Sequence, residues 1–281
     1  MGVLLHSNCK DTLFSSNHEF LIAIIRPFRR YKDSMKQLCL SIVVLLLLGC
    51  GGRREECVVA DSVICDTAVE AVQPTVVQYT ATEQKLLALG FEDVQMLDTT
   101  IRVHLVYATS DNFLGRVMYD DLRRAFLLPV MAQKVVAAQQ ALHQERPDLD
   151  LLILDAVRPL SVQYKMFHVV AGTPKNRYVA NPKKGPGMHN FGAAVDVTLV
   201  DRQGNWLPMG SDFDHFGHES HIDEEDRLLA LGNITKEEYD NRRLLRRVMR
   251  QQGLLTLKSE WWHFSLMPVS RARRELKAVE L

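Results

Sequence analysis

Cysteine is scarce in this 281-residue chain. All five stand within the first 65 residues, so the body of the chain is without thiol chemistry. Charge of one sign is lacking too: 34 Lys plus Arg balance 34 Asp plus Glu, for a formal net charge of zero. No basic tract of the density that nucleic acid demands is present, so no nucleic-acid partner is expected. There is no internal repeat. Long apolar runs are also missing, because Leu38 to Leu48 falls well short of the roughly 20 residues that a membrane-spanning helix needs. What remains is an ordinary globular balance, 47% hydrophobic and 24% charged, enough for one sizeable core plus tails.

The short apolar run has a distinct context. Met35-Lys36-Gln37 precedes it and Gly49-Cys50-Gly51-Gly52 follows it, the charged, apolar and small-residue order of a secretory signal. Leu47-Leu48-Gly49-Cys50 resembles a bacterial lipobox, whose cysteine becomes the lipidated first residue after cleavage. The sequence thus predicts residues 1–34 as an extension upstream of the true start and 35–49 as a lipoprotein signal. It predicts residues 50–75 as lipidated Cys50 plus linker, and a single domain over 76–281. Membrane contact through Cys50 and a place in the bacterial cell envelope, facing the periplasm or exterior, follow as expectations. Cys57 and Cys65 are compatible with a disulfide in an exported chain.

Within the domain, Thr82 to Leu89 reads as a short amphipathic helix ended by Gly90, and Ile101 to Tyr107 alternates like a strand. Residues 119–145 carry the longest helical pattern, which Pro129 is expected to kink or split. The run Leu151 to Val157 reads as a buried strand, and Ala193 to Val200 as another. Thr235 with Glu238 is a capping box opening a helix to about Gln252, closed by Gly253. Residues 254–263 read as a final strand. Strands separated by unequal helical stretches predict an α+β domain.

Two segments carry chemistry. His189-Asn190-Phe191-Gly192-Ala193-Ala194-Val195-Asp196 offers an imidazole and a carboxylate, and Glu260-Trp261-Trp262-His263 offers a second pair. A hydrolytic zinc centre needs three protein ligands, an open position and a nearby base. An isolated His and Asp seven apart are more simply a loop residue and a turn carboxylate. The second pair changes that, because a glutamate beside a metal-binding histidine is well placed to move a proton.

The stretch Gly187 to Asp196 resembles the pattern Ser-x-His-x-x-Gly-x-Ala-x-Asp of the D-alanyl-D-alanine dipeptidase family, the VanX-type zinc DD-peptidases. Glu260-Trp261-Trp262-His263 resembles that family's Glu-x-Trp-His. Tyr107 to Gly115 and Asp155-Ala156-Val157-Arg158-Pro159 are similar to further family segments, and the likeness runs over roughly residues 90–270 in the family's order. It implies a hedgehog-type fold with a central antiparallel sheet flanked by helices. It also implies one Zn2+ per chain held by His189, Asp196 and His263, with Glu260 as general base and Arg158 stabilising the oxyanion. Asp214 would meet the free amine of a small D-amino-acid dipeptide or peptidoglycan fragment, with Asp212 as the alternative. The family's serine is Gly187 here, a departure that bears on how the substrate carboxylate is held.

The implied activity is hydrolysis of D-Ala-D-Ala or a similar dipeptide, linked to peptidoglycan turnover. Its rivals are a DD-carboxypeptidase of the same fold and a non-catalytic cell-wall binding module. An Fe(II) oxygenase fits poorly, since that class usually spaces its first His and its acid two apart. His215, His218 and His221 stand three apart and invite a second metal site, but the glycine-broken, acidic segment around them reads as a loop beside the cleft.

Overall fold

Thr80 accepts a hydrogen bond from the Glu83 N–H and returns its own N–H to the Glu83 carboxylate. This capping box starts α1, Ala81–Ala88. β1 (Glu92–Asp93) and α2 (Val94–Leu97) follow. β2 is only Arg102–Val103, shorter than the alternation at 101–107 suggests. One more ladder bond, from His104 N–H to the Ile153 carbonyl, is made before the chain coils into a 3-10 turn at Val106–Ala108.

The long helical pattern is corrected as well. Residues 119–125 are not helical, β3 is Phe126–Leu127, and α3 runs Pro129–Glu145. Pro129 therefore starts a helix instead of kinking one, since its missing N–H falls where no partner is needed. β4 is Leu149–Asp155, α4 Leu160–Val170 and β5 Ala194–Asp201. α5 is Glu225–Ala230 and α6 Lys236–Gln251, the latter with the Thr235–Glu238 capping box in place. The final segment is a hairpin rather than one strand, β6 (Leu255–Leu257) and β7 (Glu260–Ser265), followed by α7, Val269–Glu275.

This computed structural model describes residues 77–281. The signal, lipid-anchor and linker readings, with Cys50, Cys57 and Cys65, lie outside the described residues. The fold is α+β. Its five-stranded sheet has the order β2-β4-β5-β7-β6, and β1 pairs with β3 separately. The sheet is mixed: β2 runs parallel to β4, and the other three pairings are antiparallel.

Side-chain alternation along β5 divides the molecule. Val195, Val197 and Leu199 pack with Leu151 and Ile153 of β4 against Val135 and Leu142 of α3 and Leu245 and Val248 of α6. Each such side chain contributes about 1.5–3 kcal/mol on burial. By the period of two, Asp196 and Thr198 point to the opposite face. There Val200, Leu152 and Leu154 form a smaller cluster with Val106.

A bulge then places a second carboxylate on that opposite face. Ile153 pairs with Val197, but Asp155 pairs with Asp196, so two steps on β4 match one on β5. Without this extra residue Asp155 would point into the helix-covered core. With it, Asp155 stands beside Asp196.

Candidate metal centre

His189 lies on a 3-10 turn, Met188–Phe191, that Gly192 closes in the left-handed region at φ 62°. A Cβ on Gly192 would collide with the Phe91 ring, so glycine is required both for the conformation and for the close approach. The turn leads directly into β5 and Asp196. His263 is the cross-strand partner of Asp196 on β7.

The three side chains converge. His189 Nε2 is 3.2 Å from His263 Nδ1 and 3.3 Å from Asp196 Oδ2, and His263 Nδ1 is 2.9 Å from Asp196 Oδ1. One donor atom from each residue lies within 4.8 Å of the others. The remaining imidazole nitrogens have partners of their own: His189 Nδ1 lies 2.8 Å from the Ala156 carbonyl, and His263 Nε2 2.8 Å from Ser265 Oγ. These bonds orient both rings and leave Nε2 of one and Nδ1 of the other facing Asp196. Metal-binding histidines are held by this kind of outer partner. Two nitrogens and a carboxylate oxygen suit zinc, with a fourth position left over.

Burial alone would raise the Asp196 carboxyl, but the two histidines outweigh it and hold the group well below the usual range. Glu260 behaves oppositely. Burial pushes its carboxyl above the ordinary value, against the pull of His263, whose Nδ1 lies 3.9 Å from Glu260 Oε2. Residues three apart on a regular strand would face opposite ways. The β6–β7 register shift at Thr256/Leu257, where Glu260 begins its strand, relaxes that alternation.

These groups line a cleft of about 450 Å³ shared with Arg158, Tyr107, Asp214, Phe216 and Trp262. Trp262 is buried and packs its ring edge-on against Phe213. Trp261 is buried as well, and its Nε1–H donates to Ser211 Oγ at 2.9 Å.

Arg158 is held in place from several directions. Its Nε–H and Nη2–H donate to Asp155 Oδ2, and its Nη1–H donates to Gln163 Oε1 at 3.1 Å. Its Cζ stands 5.0 Å from the Tyr107 ring centroid. Burial would depress the guanidinium, but Asp155 together with Tyr107, Tyr119 and Asp196 outweighs that and holds its pKa well above the ordinary value. Three of the five guanidinium N–H groups are engaged by Asp155 and Gln163, and the Tyr119 hydroxyl is a further hydrogen-bond neighbour of the guanidinium.

Asp155 is fully buried and is the hub of this support. Besides Arg158 it accepts from the Tyr119 hydroxyl, and it lies 3.5 Å from His189 Nδ1. Asn190 completes the clamp: its Nδ2–H donates to the Arg158 carbonyl, and its Oδ1 accepts from the Gly187 N–H. The Gly187 N–H is thereby used internally and does not substitute for a serine hydroxyl.

Asp214 lines the same cleft, whereas Asp212 lines only an adjoining cavity of about 900 Å³. Asp214 takes a positive φ of 58° and accepts from the Tyr107 hydroxyl at 2.7 Å. Burial pushes its carboxyl up to about 8, against the Tyr107 hydrogen bond. An unfolded aspartate titrates near 3.9. Between these values the folded chain keeps a proton that the unfolded chain releases, so stability falls as pH rises from about 4 to about 8. Asp214→Asn is therefore expected to raise the urea midpoint of the metal-free protein at about pH 7.5, with the gap closing below about pH 4. Equal midpoints across that range would contradict this reading.

Sequence reasoning missed Asp155, Tyr119, Asn190 and Ser265 as parts of the site. The Asp at the head of Asp155-Ala156-Val157-Arg158 was a usable signal for the first. Of the three spaced histidines, His215 turns away to Glu219 at 2.9 Å, while His218 and His221 approach Glu224.

Residues 87–277 match a family model described as D-ala-D-ala dipeptidase. The D-alanyl-D-alanine dipeptidase of Escherichia coli (strain K12) is 30% identical over 177 residues, 62% of this chain and 83% of that protein. That of Enterococcus faecalis is 28% identical over 183 residues, 59% of this chain and 86% of its own length. That of Enterococcus faecium is 27% identical over 201 residues, with coverages of 64% and 93%.

Proposed function

Because this chain belongs to the D-alanyl-D-alanine dipeptidase family of metallopeptidases, we propose that it is a zinc enzyme hydrolysing free D-Ala-D-Ala or a closely similar dipeptide. The observation that carries this reading is the convergence of His189, Asp196 and His263 on one point, with the Glu260 carboxylate 3.9 Å from His263. His189, Asp196 and His263 would hold a zinc ion there, which would supply Lewis acidity and lower the pKa of the attacking water to about 7.

The chain's own residues do the rest. Glu260 takes the proton from the attacking water and delivers it to the leaving amine, a role for which burial beside a histidine suits a carboxylate. Arg158 directs its guanidinium at the oxygen of the scissile carbonyl as charge builds there. Loss of one such donor typically costs about 10²–10³ in kcat. Asp214 takes the substrate's ammonium, and the arriving positive charge favours its ionised form. Both side chains line the metal cleft. A hedgehog-type fold and a place in peptidoglycan turnover belong to the same reading. So do export and a lipid anchor at Cys50, which draw their support from the sequence of residues 35–50.

The test is hydrolysis of free D-Ala-D-Ala against a pentapeptide stem, with and without a chelator. The dipeptide is expected to be preferred, activity to vanish with the chelator, and zinc to restore it. Preference for the pentapeptide would favour a DD-carboxypeptidase instead.

A further inference from the structure

A second group of metal donors stands outside the catalytic cleft, on the segment that leads away from Asp214. The 3-10 turn His218–Ser220 puts His218 and His221 on one side of the chain, with ring centroids 5.2 Å apart. The turn is fixed from within: the buried Ser220 hydroxyl lies 2.7 Å from the His215 carbonyl and 2.8 Å from that of Gly217. Downstream, the Ile222 N–H is tied to the Lys258 carbonyl at 2.8 Å. Glu224, just ahead of α5, then brings Oε1 to 2.8 Å from His218 Nδ1 and 3.9 Å from His221 Nδ1. Its other oxygen, Oε2, accepts from Arg227 Nη1–H at 3.0 Å, which holds Oε1 towards the imidazoles.

We propose that His218, His221 and Glu224 form a second binding site for a zinc-like divalent transition metal. All three donor atoms lie within 4.8 Å of one another. The separations of 2.8 and 3.9 Å bracket the roughly 3.4 Å between neighbouring donors of a tetrahedral ion bound at about 2.0–2.1 Å. A simple hydrogen bond accounts for His218, but not for a second imidazole nitrogen facing the same oxygen. Mixed imidazole and carboxylate donors select zinc, nickel or copper over magnesium or calcium. The ion would replace the proton that His218 now shares with Glu224, and water would complete its coordination. Asp223 Oδ1, 3.9 Å from His221 Nδ1, adds negative charge nearby, partly offset by Lys258 at 3.7 Å from Asp223 Oδ2. Because the side chains are partly exposed, the site exchanges metal more readily than the buried one. An ion here pins residues 218–224, the continuation of the loop that supplies Asp214 and Phe216 to the cleft.

Equilibrium dialysis of the full chain against zinc, with bound metal counted per chain, tests this. The His218→Ala/His221→Ala double variant is expected to bind one zinc fewer than wild type while dipeptide hydrolysis persists. Zinc should also slow amide exchange over residues 215–224 in wild type but not in the variant. Equal metal counts in the two proteins overturn the proposal. Should the catalytic reading fail instead, both counts start lower, but the one-ion difference between them remains.

Discussion

Replacing Glu260 by glutamine is expected to lower kcat/KM for D-Ala-D-Ala by about 10²–10⁴-fold, the usual worth of a positioned general acid–base group. Zinc content should be unchanged. Glutamine keeps the size and one oxygen of glutamate but cannot accept the proton, so what is lost is chemistry and not shape. The structure makes this separation sharp. Glu260 lies beside His263 without belonging to the three-donor set, and the rings of His189 and His263 are oriented by Ala156 and Ser265 rather than by Glu260. KM should therefore move little while kcat collapses, the pattern of an interaction made in the transition state. Undiminished hydrolysis by this variant, with zinc bound, would remove Glu260 from the mechanism.

A stability loss of about 3–5 kcal/mol is expected for Asp155→Ala, read as a lower urea midpoint, because it strands a buried charge. Asp155 has no solvent exposure, and the Arg158 side chain is only 12% exposed, so water repairs little of the loss. The same substitution removes the acceptor of the Tyr119 hydroxyl and the carboxylate nearest His189 Nδ1. Activity should fall with stability, since the freed guanidinium is no longer aimed into the cleft. Asp155→Asn, which retains an oxygen for Arg158 and Tyr119, is expected to recover much of the stability. A near-neutral Asp155→Ala would mean that Arg158 finds another partner or is solvated in place.

Local signals made much of the fold legible. The Thr235–Glu238 capping box marked the start of α6 because both partners of that motif lie within one turn of chain. The unbroken apolar run of β4 announced a strand buried on both faces. Pro129 was misleading, because a proline interrupts a helix or begins one according to whether residues 119–128 have something better to do. Here Phe126 and Leu127 pair with β1, a contact more than thirty residues away in sequence, and the helix starts only after them. The hairpin at 255–265 was hidden because its turn carries no strong Gly or Pro signal; the Leu257–Glu260 pairing sets where β7 begins, and β5 pairs with β7 only from His263 onward.

The site's inventory was readable as residue types: two imidazoles and a carboxylate as metal donors, with a glutamate and an arginine beside them, in the order the family pattern sets out. Sequence alone determined which chemistry was on offer, because ligand type and acid–base capacity belong to individual side chains. Which atoms meet was decided only by the tertiary structure. Strand register pairs Asp196 with His263, and a bulge in β4 turns Asp155 towards Arg158. Hydrogen bonds to the Ala156 carbonyl and with the Ser265 hydroxyl select the imidazole nitrogens that face inward. Those choices depend on backbone partners far away along the chain, and a one-residue change in register would send the same side chains into the core or out to solvent.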